Sequence, residues 1–214
     1  MKKHLIGLFM LMGIVLSLPV QAQEERQFLI GGDHPVGVSG FGGPIVEISS
    51  LENEVIVSGG GGLALLLDQT FFVGLYGLGT VKSLEQSVAE YPEVDMAFGH
   101  GGLWLGYIHQ SQRLLHAGLS LKMGGGGAVL ASRERNEFIF EEENKIDEDG
   151  FFVLTPQAEI ELNVAPWMKI NASVGYRYVS GVQIQYLDEK DFKSVVGNVG
   201  FYFGWFKPKD TYEK

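Results

Sequence analysis

The chain of 214 residues contains no cysteine, which excludes a disulfide scaffold. It is also poor in positive charge, with 16 Lys and Arg against 26 Asp and Glu. This balance opposes nonspecific binding to nucleic acid, and no nucleic-acid partner is predicted. After residue 22, no stretch approaches the roughly 18 uninterrupted apolar residues that a membrane-spanning helix needs. If the chain spans a membrane, it must therefore do so as a β-barrel.

The first 22 residues have the pattern of a secretory signal peptide. Lys2 and Lys3 precede an apolar run from Leu5 to Leu18, and Val20-Gln21-Ala22 offers a small-residue cleavage site. Removing this segment leaves 14 basic against 26 acidic residues, a formal charge of −12. We expect an N-terminal lead-in at 23–36, a barrel at 37–206 and a C-terminal periplasmic tail at 207–214.

Glycine (30) and aromatic residues (25) are abundant and lie in segments that alternate between apolar and polar side chains. In one of these segments Thr155, Gln157 and Glu159 oppose Leu154 and Ala158, which is the period of a two-faced strand. Eight strands are predicted: Gly37–Leu51, Glu54–Leu67, Thr70–Val81, Met96–His109, Arg113–Ala131, Phe151–Val164, Met168–Val179 and Lys193–Phe206.

The connections between these strands alternate in length. Three are short: Asp68-Gln69, Gln110–Gln112 and Ala165-Pro166-Trp167. The connections between them are long: Lys82–Asp95, Ser132–Gly150 and Ser180–Phe192. Outer-membrane barrels alternate short periplasmic turns with longer extracellular loops. The even strand count and this alternation predict an all-β, eight-stranded, antiparallel, up-and-down transmembrane barrel.

The polar faces of the predicted strands carry charges of both signs. An eight-stranded barrel is only wide enough for side chains to fill its interior, where charges must be paired. We therefore expect an ion-pair and hydrogen-bond network that plugs the lumen. Its predicted members are Glu47, His100, His116, Lys122, Glu159, Glu161, Lys169 and Arg177.

The motifs that suggest metal or phosphate sites have simpler explanations. A turn centred near Ser111 places His100 opposite Lys122 and His109 on the other face, so the histidines of this hairpin do not converge on zinc. The acidic loop Ser132–Gly150 lacks the regular spacing of a calcium site. Apolar strand residues, and no helix, follow the glycine runs Gly59–Gly62 and Gly124–Gly127, so these runs are predicted to leave room for aromatic neighbours and not to bind phosphate. No metal and no cofactor are predicted.

The last strand resembles the assembly signal of outer-membrane proteins. In that signal a polar residue, a glycine and aromatic residues two apart recur in a fixed order, and Asn198, Gly200, Phe203 and Trp205 follow it. The resemblance implies recognition by barrel-assembly machinery. Many such proteins stop at the aromatic residue, whereas this chain continues through 207–214.

The whole chain resembles small barrels of the OmpA/OmpX type, and more narrowly an uncharacterised family of outer-membrane barrels from Bacteroidetes-type bacteria. The segments that carry this resemblance are Phe41–Pro44, Gly59–Gly62, Gly74–Gly77, Phe152–Pro156 and Tyr176–Val182. The resemblance implies a Gram-negative outer-membrane location and the barrel fold, and it assigns no catalytic residues.

These observations predict a monomeric, lipid-embedded outer-membrane barrel with a plugged lumen and a structural, adhesive or protective role. They do not identify a partner that binds the extracellular loops. Its aromatics, among them Trp104 and Trp167, are expected in interfacial belts or packed at the barrel ends. One alternative is a soluble periplasmic barrel of the lipocalin kind, which would turn its apolar face inward to hold a hydrophobic ligand. A less favoured alternative is an outer-membrane hydrolase, because Ser120, His116 and Glu159 can share the interior face.

Overall fold

The computed structural model describes residues 37–51, 54–80, 84–88, 91–132, 145–182 and 189–206. Its strands are β1 (Val38–Leu51), β2 (Glu54–Leu67), β3 (Phe71–Thr80), β4 (Leu84–Val88), β5 (Tyr91–His109), β6 (Leu115–Ser132), β7 (Lys145–Ala165), β8 (Met168–Ser180) and β9 (Ser194–Gly204). A four-residue helix, α1 (Glu189–Phe192), precedes β9. The predicted signal peptide, the whole of the lead-in at 23–36 and the tail lie outside the described residues.

The strands form one closed antiparallel barrel. Apart from β3 and β4, strands that follow one another in sequence pair with each other, and β9 pairs with β1 to close the sheet. The short strand β4 continues the line of β3, and both pair with the long strand β5. Because β3 and β4 occupy one strand position, the nine strands form an eight-stranded barrel. The predicted fold class is confirmed.

Two long connections are shorter than predicted. Strand β7 begins at Lys145 where the sequence suggested Phe151, and β5 begins at Tyr91 where it suggested Met96. Both extensions carry acidic residues, which masked their strand character in the sequence. Ladder hydrogen bonds nevertheless continue there, because β6 and β4 provide partner strands.

Short turns join the strands at one rim, which we call the turn end, and the longer connections lie at the opposite loop end. The turn after β2 places Asp68 and Gln69 at φ of 48° and 56°. Positive φ at both central residues is the geometry that matches the twist of paired strands. The Asp68 carboxylate also accepts a hydrogen bond from the Gly37 N–H at 2.6 Å, which ties the start of β1 to this turn.

No helix among the described residues is long and apolar enough to cross a membrane.

Candidate functional site

The interior of the barrel is the candidate functional site, and the structure places all eight residues of the predicted network inside it. Each is at most 6% exposed although each is ionisable. Strand alternation explains this placement, because these residues occupy the positions whose side chains point inward. They divide into two ion clusters, with Lys122 between them.

The first cluster lies toward the loop end, around Arg177. The guanidinium of Arg177 has five N–H donors, and the structure offers five acceptors. Nη1 donates to Glu47 Oε1 at 3.0 Å and to Ser49 Oγ at 3.2 Å. The other acceptors are the Phe192 carbonyl at 3.0 Å, Ser194 Oγ at 3.3 Å and the Ser50 carbonyl at 3.4 Å. Arg177 thus links β8, β9, β1 and α1 in what we call the loop-end cluster.

The second cluster, the turn-end cluster, is centred on Glu161. Its Oε2 accepts hydrogen bonds from Lys169 Nζ at 3.0 Å and from His116 Nε2 at 2.9 Å. His116 Nδ1 lies 3.0 Å from the Arg113 carbonyl oxygen. Both ring nitrogens of His116 therefore face oxygen atoms, one of the backbone and one of a carboxylate.

The residues of the hydrolase alternative do not form a catalytic triad. Ser120 Oγ donates its one proton to Glu159 Oε1 and lies 3.3 Å from Gln157 Oε1. His116 bonds instead to Glu161, so it has no hydrogen bond to Ser120 through which it could act as a base. Asn171 donates to Glu159 Oε2 at 3.2 Å and holds this carboxylate within the polar network.

Lys122 occupies the middle of the lumen and is 2% exposed. Its Nζ donates to Asn198 Oδ1 at 3.3 Å, and within the described part of the chain no carboxylate forms a salt bridge with it. The Lys122 Nζ also lies 5.6 Å from the ring centre of Tyr76 and 6.0 Å from that of Trp104. Lys122 is therefore bounded by aromatic rings and amides.

Two apolar clusters fill the rest of the interior. At the loop end, Phe192 of α1 packs against Phe98, Phe151 and Val179. The guanidinium of Arg177 lies 4.7 Å from the ring centre of Phe98, which connects this plug to the loop-end cluster. The carboxylate of Glu189 accepts the Gly181 N–H at 2.8 Å and the Lys193 ammonium at 3.2 Å, and these contacts hold the pKa of Glu189 below its usual value.

At the turn end, Trp104 is fully buried among Phe41, Phe72 and Tyr202. Of the two positions expected for Trp104, the interfacial belt was wrong, because the indole is packed inside the barrel in the plug at the turn end. Its position relative to His100 could have indicated this, because residues four apart on a strand point to the same side. A Cβ at Gly62 would lie 3.0 Å from the Trp104 ring, so this glycine leaves room for the indole.

The histidine hairpin has a different register from the predicted one. Trp104, and not His100, pairs with Lys122, while His100 pairs with Gly126. The reason is the connection, because the pair nearest the turn is His109 with Ala117, so that residues 110–116 separate the paired parts of β5 and β6 and the hairpin is centred near residue 113. His100 bonds to Tyr76 and His116 to Glu161, and no group of residues in the described ranges could hold a metal ion.

The outer face is apolar along its length. On β9, Val195, Val199, Phe201 and Phe203 are between 39% and 63% exposed, while the alternate residues are buried inside. Aromatics lie toward both ends: Trp167 stacks on Phe203 at the turn end, and Tyr176 packs against Tyr178 further along β8. The ten or so residues from Met168 to Tyr178 span about 25 Å in a tilted strand, which matches the apolar band of outer-membrane barrels. This distribution is the reverse of that required by the lipocalin-like alternative.

The residues of the predicted assembly signal lie on both faces of β9. Asn198 and Gly200 point inward, and Phe203 and Trp205 are exposed outside. A Cβ at Gly200 would lie 2.7 Å from the Tyr202 ring, so glycine is needed here for packing within the barrel. Asn198 has a structural role of its own through its hydrogen bond with Lys122.

No protein-family model and no curated protein sequence matches the chain. Among solved structures, the chain is similar to Neisserial surface protein A, with 8% identity and a TM-score of 0.52 over 81% of this chain and all of that one. It is also similar to Ail, the attachment invasion locus protein of Yersinia pestis (16% identity, 78% of this chain and 96% of that one, TM-score 0.47). A further similar structure is the N-terminal barrel domain of Pseudomonas aeruginosa OprF (11% identity, 78% and 97%, TM-score 0.47).

At such identities the similarity concerns the fold alone, which is that of small eight-stranded outer-membrane barrels of the OmpA/OmpX-like kind. The location follows from the molecule itself. An apolar outer band needs lipid around it, and a closed barrel satisfies every backbone group inside a bilayer. The protein is a barrel of the bacterial outer membrane.

Proposed function

We propose that this protein is a closed outer-membrane barrel that acts through its surface, in a structural, adhesive or protective role, and does not conduct solutes. The observation that carries this proposal is the filling of the lumen. An apolar plug lies at each end, and buried ion clusters occupy the space between them. Open porins use many more strands and keep a water-filled channel.

Arg177 is the residue whose contacts most directly keep the lumen filled. With all its donors engaged, this side chain cannot leave the lumen without breaking five hydrogen bonds and separating a buried ion pair. Phe192, whose backbone carbonyl accepts one of these hydrogen bonds, has a fully buried side chain that packs beside Arg177 at the loop end. A lumen that holds such groups has little room for solute passage.

Liposome swelling tests the closure. Vesicles that contain the refolded protein should swell no faster in a small sugar than protein-free vesicles, while vesicles with a general porin should swell rapidly. Rapid swelling with the wild-type protein would contradict the proposal.

The surface role needs a separate test in cells. A strain without this protein, the complemented strain and a strain with the loop segment 133–144 replaced by a short glycine-serine linker should be compared for adhesion and detergent resistance. The proposal expects the deletion to weaken at least one property and wild-type protein to restore it. Identical behaviour of all three strains in both assays would contradict a surface role.

We further propose that residues 1–22 are cleaved on export, that the assembly machinery binds the β9 signal, and that the barrel is monomeric in lipid. The exposed Phe203 and Trp205 favour the signal assignment. Membership of the Bacteroidetes-type barrel family is part of the same proposal and is supported by the glycine-aromatic segments. Mass spectrometry of the mature protein tests the cleavage, since a retained N-terminus would exclude it.

A further inference from the structure

Several buried polar atoms around Lys122 have no hydrogen-bond partner within the described structure. Three of them are N–H groups that can only donate: Trp104 Nε1, Gln157 Nε2 and Asn198 Nδ2. Their residues are each at most 5% exposed. Leaving a buried donor unsatisfied is costly, so native proteins rarely do so without a bound water or ion.

These donors are grouped around one side chain. Trp104 and Thr155 are the partners of Lys122 on the two neighbouring strands, and Gln157 is the next inward-facing residue after Thr155 on β7. Asn198 reaches the same place from β9, where its Oδ1 accepts the Lys122 hydrogen bond and its Nδ2 remains free of a partner. The Lys122 ammonium has three N–H groups, and this hydrogen bond uses one.

Lys122 also has no anionic partner in direct contact. The buried lysine and arginine residues of the lumen are Lys122, Lys169 and Arg177. Lys169 forms a salt bridge with Glu161, and Arg177 forms one with Glu47. Lys122 is the member of this group without a carboxylate in salt-bridge contact within the described part of the chain.

We propose that a small monovalent anion of halide size binds beside Lys122 in the closed lumen. Water is the competing occupant, and each water molecule brings two donors of its own, whereas three of the unpartnered atoms are N–H groups that can only donate. A halide only accepts hydrogen bonds, and its charge pairs with the Lys122 ammonium. The aromatic plugs on either side isolate the site, so the anion is enclosed as the barrel folds. This inference does not depend on the proposed surface role.

Bromide is the probe for a direct test. The barrel is refolded and crystallised in bromide, and anomalous diffraction is measured at the bromine edge. The proposal predicts a bromide peak in contact with Lys122 Nζ and with at least one of the three unpartnered N–H groups. Density of water without an anomalous peak at this position would overturn the proposal, as would bromide bound only outside the lumen.

Lys122→Met should abolish the bromide peak, and a second variant, Asn198→Asp, keeps the test decisive if Lys122→Met fails to fold. It places a carboxylate beside Lys122 and so supplies internally the charge that the anion provides, and the bromide peak should disappear. Lys193→Met is the control, because this lysine lies outside the lumen in contact with Glu189. A peak that persists in Asn198→Asp would mark an adventitious ion only and would overturn the proposal.

Thermal unfolding at constant ionic strength gives a second readout. In wild-type protein, exchange of gluconate for chloride at about 100 times the dissociation constant should raise the midpoint by about 5 °C. The same exchange should have no effect on Asn198→Asp and an unchanged effect on Lys193→Met. Equal midpoints for wild-type protein in the two anions would contradict the proposal.

Discussion

The loop-end and turn-end clusters are both charged and buried, but they join parts of the chain that differ in sequence distance. Arg177 bonds to Glu47 across 130 residues and spans the seam where β9 meets β1. Glu161 bonds to Lys169 across eight residues and to His116 across 45, within consecutive strands. The loop-end cluster therefore secures barrel closure, whereas the turn-end cluster secures strands that are already neighbours.

The clusters also differ in how replaceable each partner is. Glu47 has one close cationic partner, because His100 Nε2 lies 3.9 Å away while Arg177 lies at 3.0 Å. Glu161 has two close partners, Lys169 and His116. Loss of Arg177 should consequently be more harmful than loss of Lys169.

The largest effect is expected for Arg177→Ala. It removes five hydrogen bonds and leaves Glu47 without its close cation, which should lower the free energy of unfolding by about 3–5 kcal/mol. Urea unfolding in lipid vesicles, followed by tryptophan fluorescence, measures this change. Arg177→Lys is the matched control, which keeps the charge and loses the fork of donors, and should fall between the alanine variant and wild type. If Arg177→Ala were as stable as the wild-type protein, the proposal that the loop-end cluster secures barrel closure would be contradicted.

A smaller effect is expected for Lys169→Met. Methionine keeps the apolar stem, while Glu161 retains His116 as a partner, so the loss should be roughly 1.5–3 kcal/mol. The same unfolding assay applies. If Lys169→Met were as destabilising as Arg177→Ala, the second partner of Glu161 would have no protective effect.

The aromatic plug beside the turn-end cluster can be perturbed without changing charge. Gly62→Ala brings a Cβ to 3.0 Å from the Trp104 ring, and we expect destabilisation at the low end of roughly 1–3 kcal/mol. Gly77→Ala is the control, because a Cβ there meets nothing within 4 Å. Equal stability of the two variants would show that the indole can shift freely.

The smallest effect concerns Glu189, outside the membrane-spanning strands. Its pKa is lowered by the Gly181 N–H and by Lys193, so its contribution is present above the ordinary pKa of 4.5 and is lost as pH falls through the lower folded value. Amide exchange at Gly181 should therefore accelerate on acidification, after correction for the intrinsic pH dependence. Glu189→Gln should show fast exchange already at pH 7. Unchanged protection in this variant would mean that the carboxylate does not hold the α1 segment.

Much of the fold follows from alternation in the sequence, as β8 illustrates, which was predicted at Met168–Val179 and spans Met168–Ser180. Alternation also indicates which ionisable residues face inward. It does not determine which of them meet, because the pairing of Arg177 with Glu47 depends on strand tilt and register. The predicted register of the β5–β6 hairpin was wrong for a local reason, because residues 110–114 have no strong turn signature in the sequence. Alternation also indicates the interior position of Trp104, because Trp104 and the inward-facing His100 are four residues apart on β5.

Single-channel recording in planar bilayers tests the central claim, that the protein's own side chains close the lumen. The wild-type protein should insert without giving a stable conducting level, while Phe192→Gly combined with Arg177→Ala should give measurable openings if the variant folds. A large and stable conductance of the wild-type protein would contradict the closed lumen.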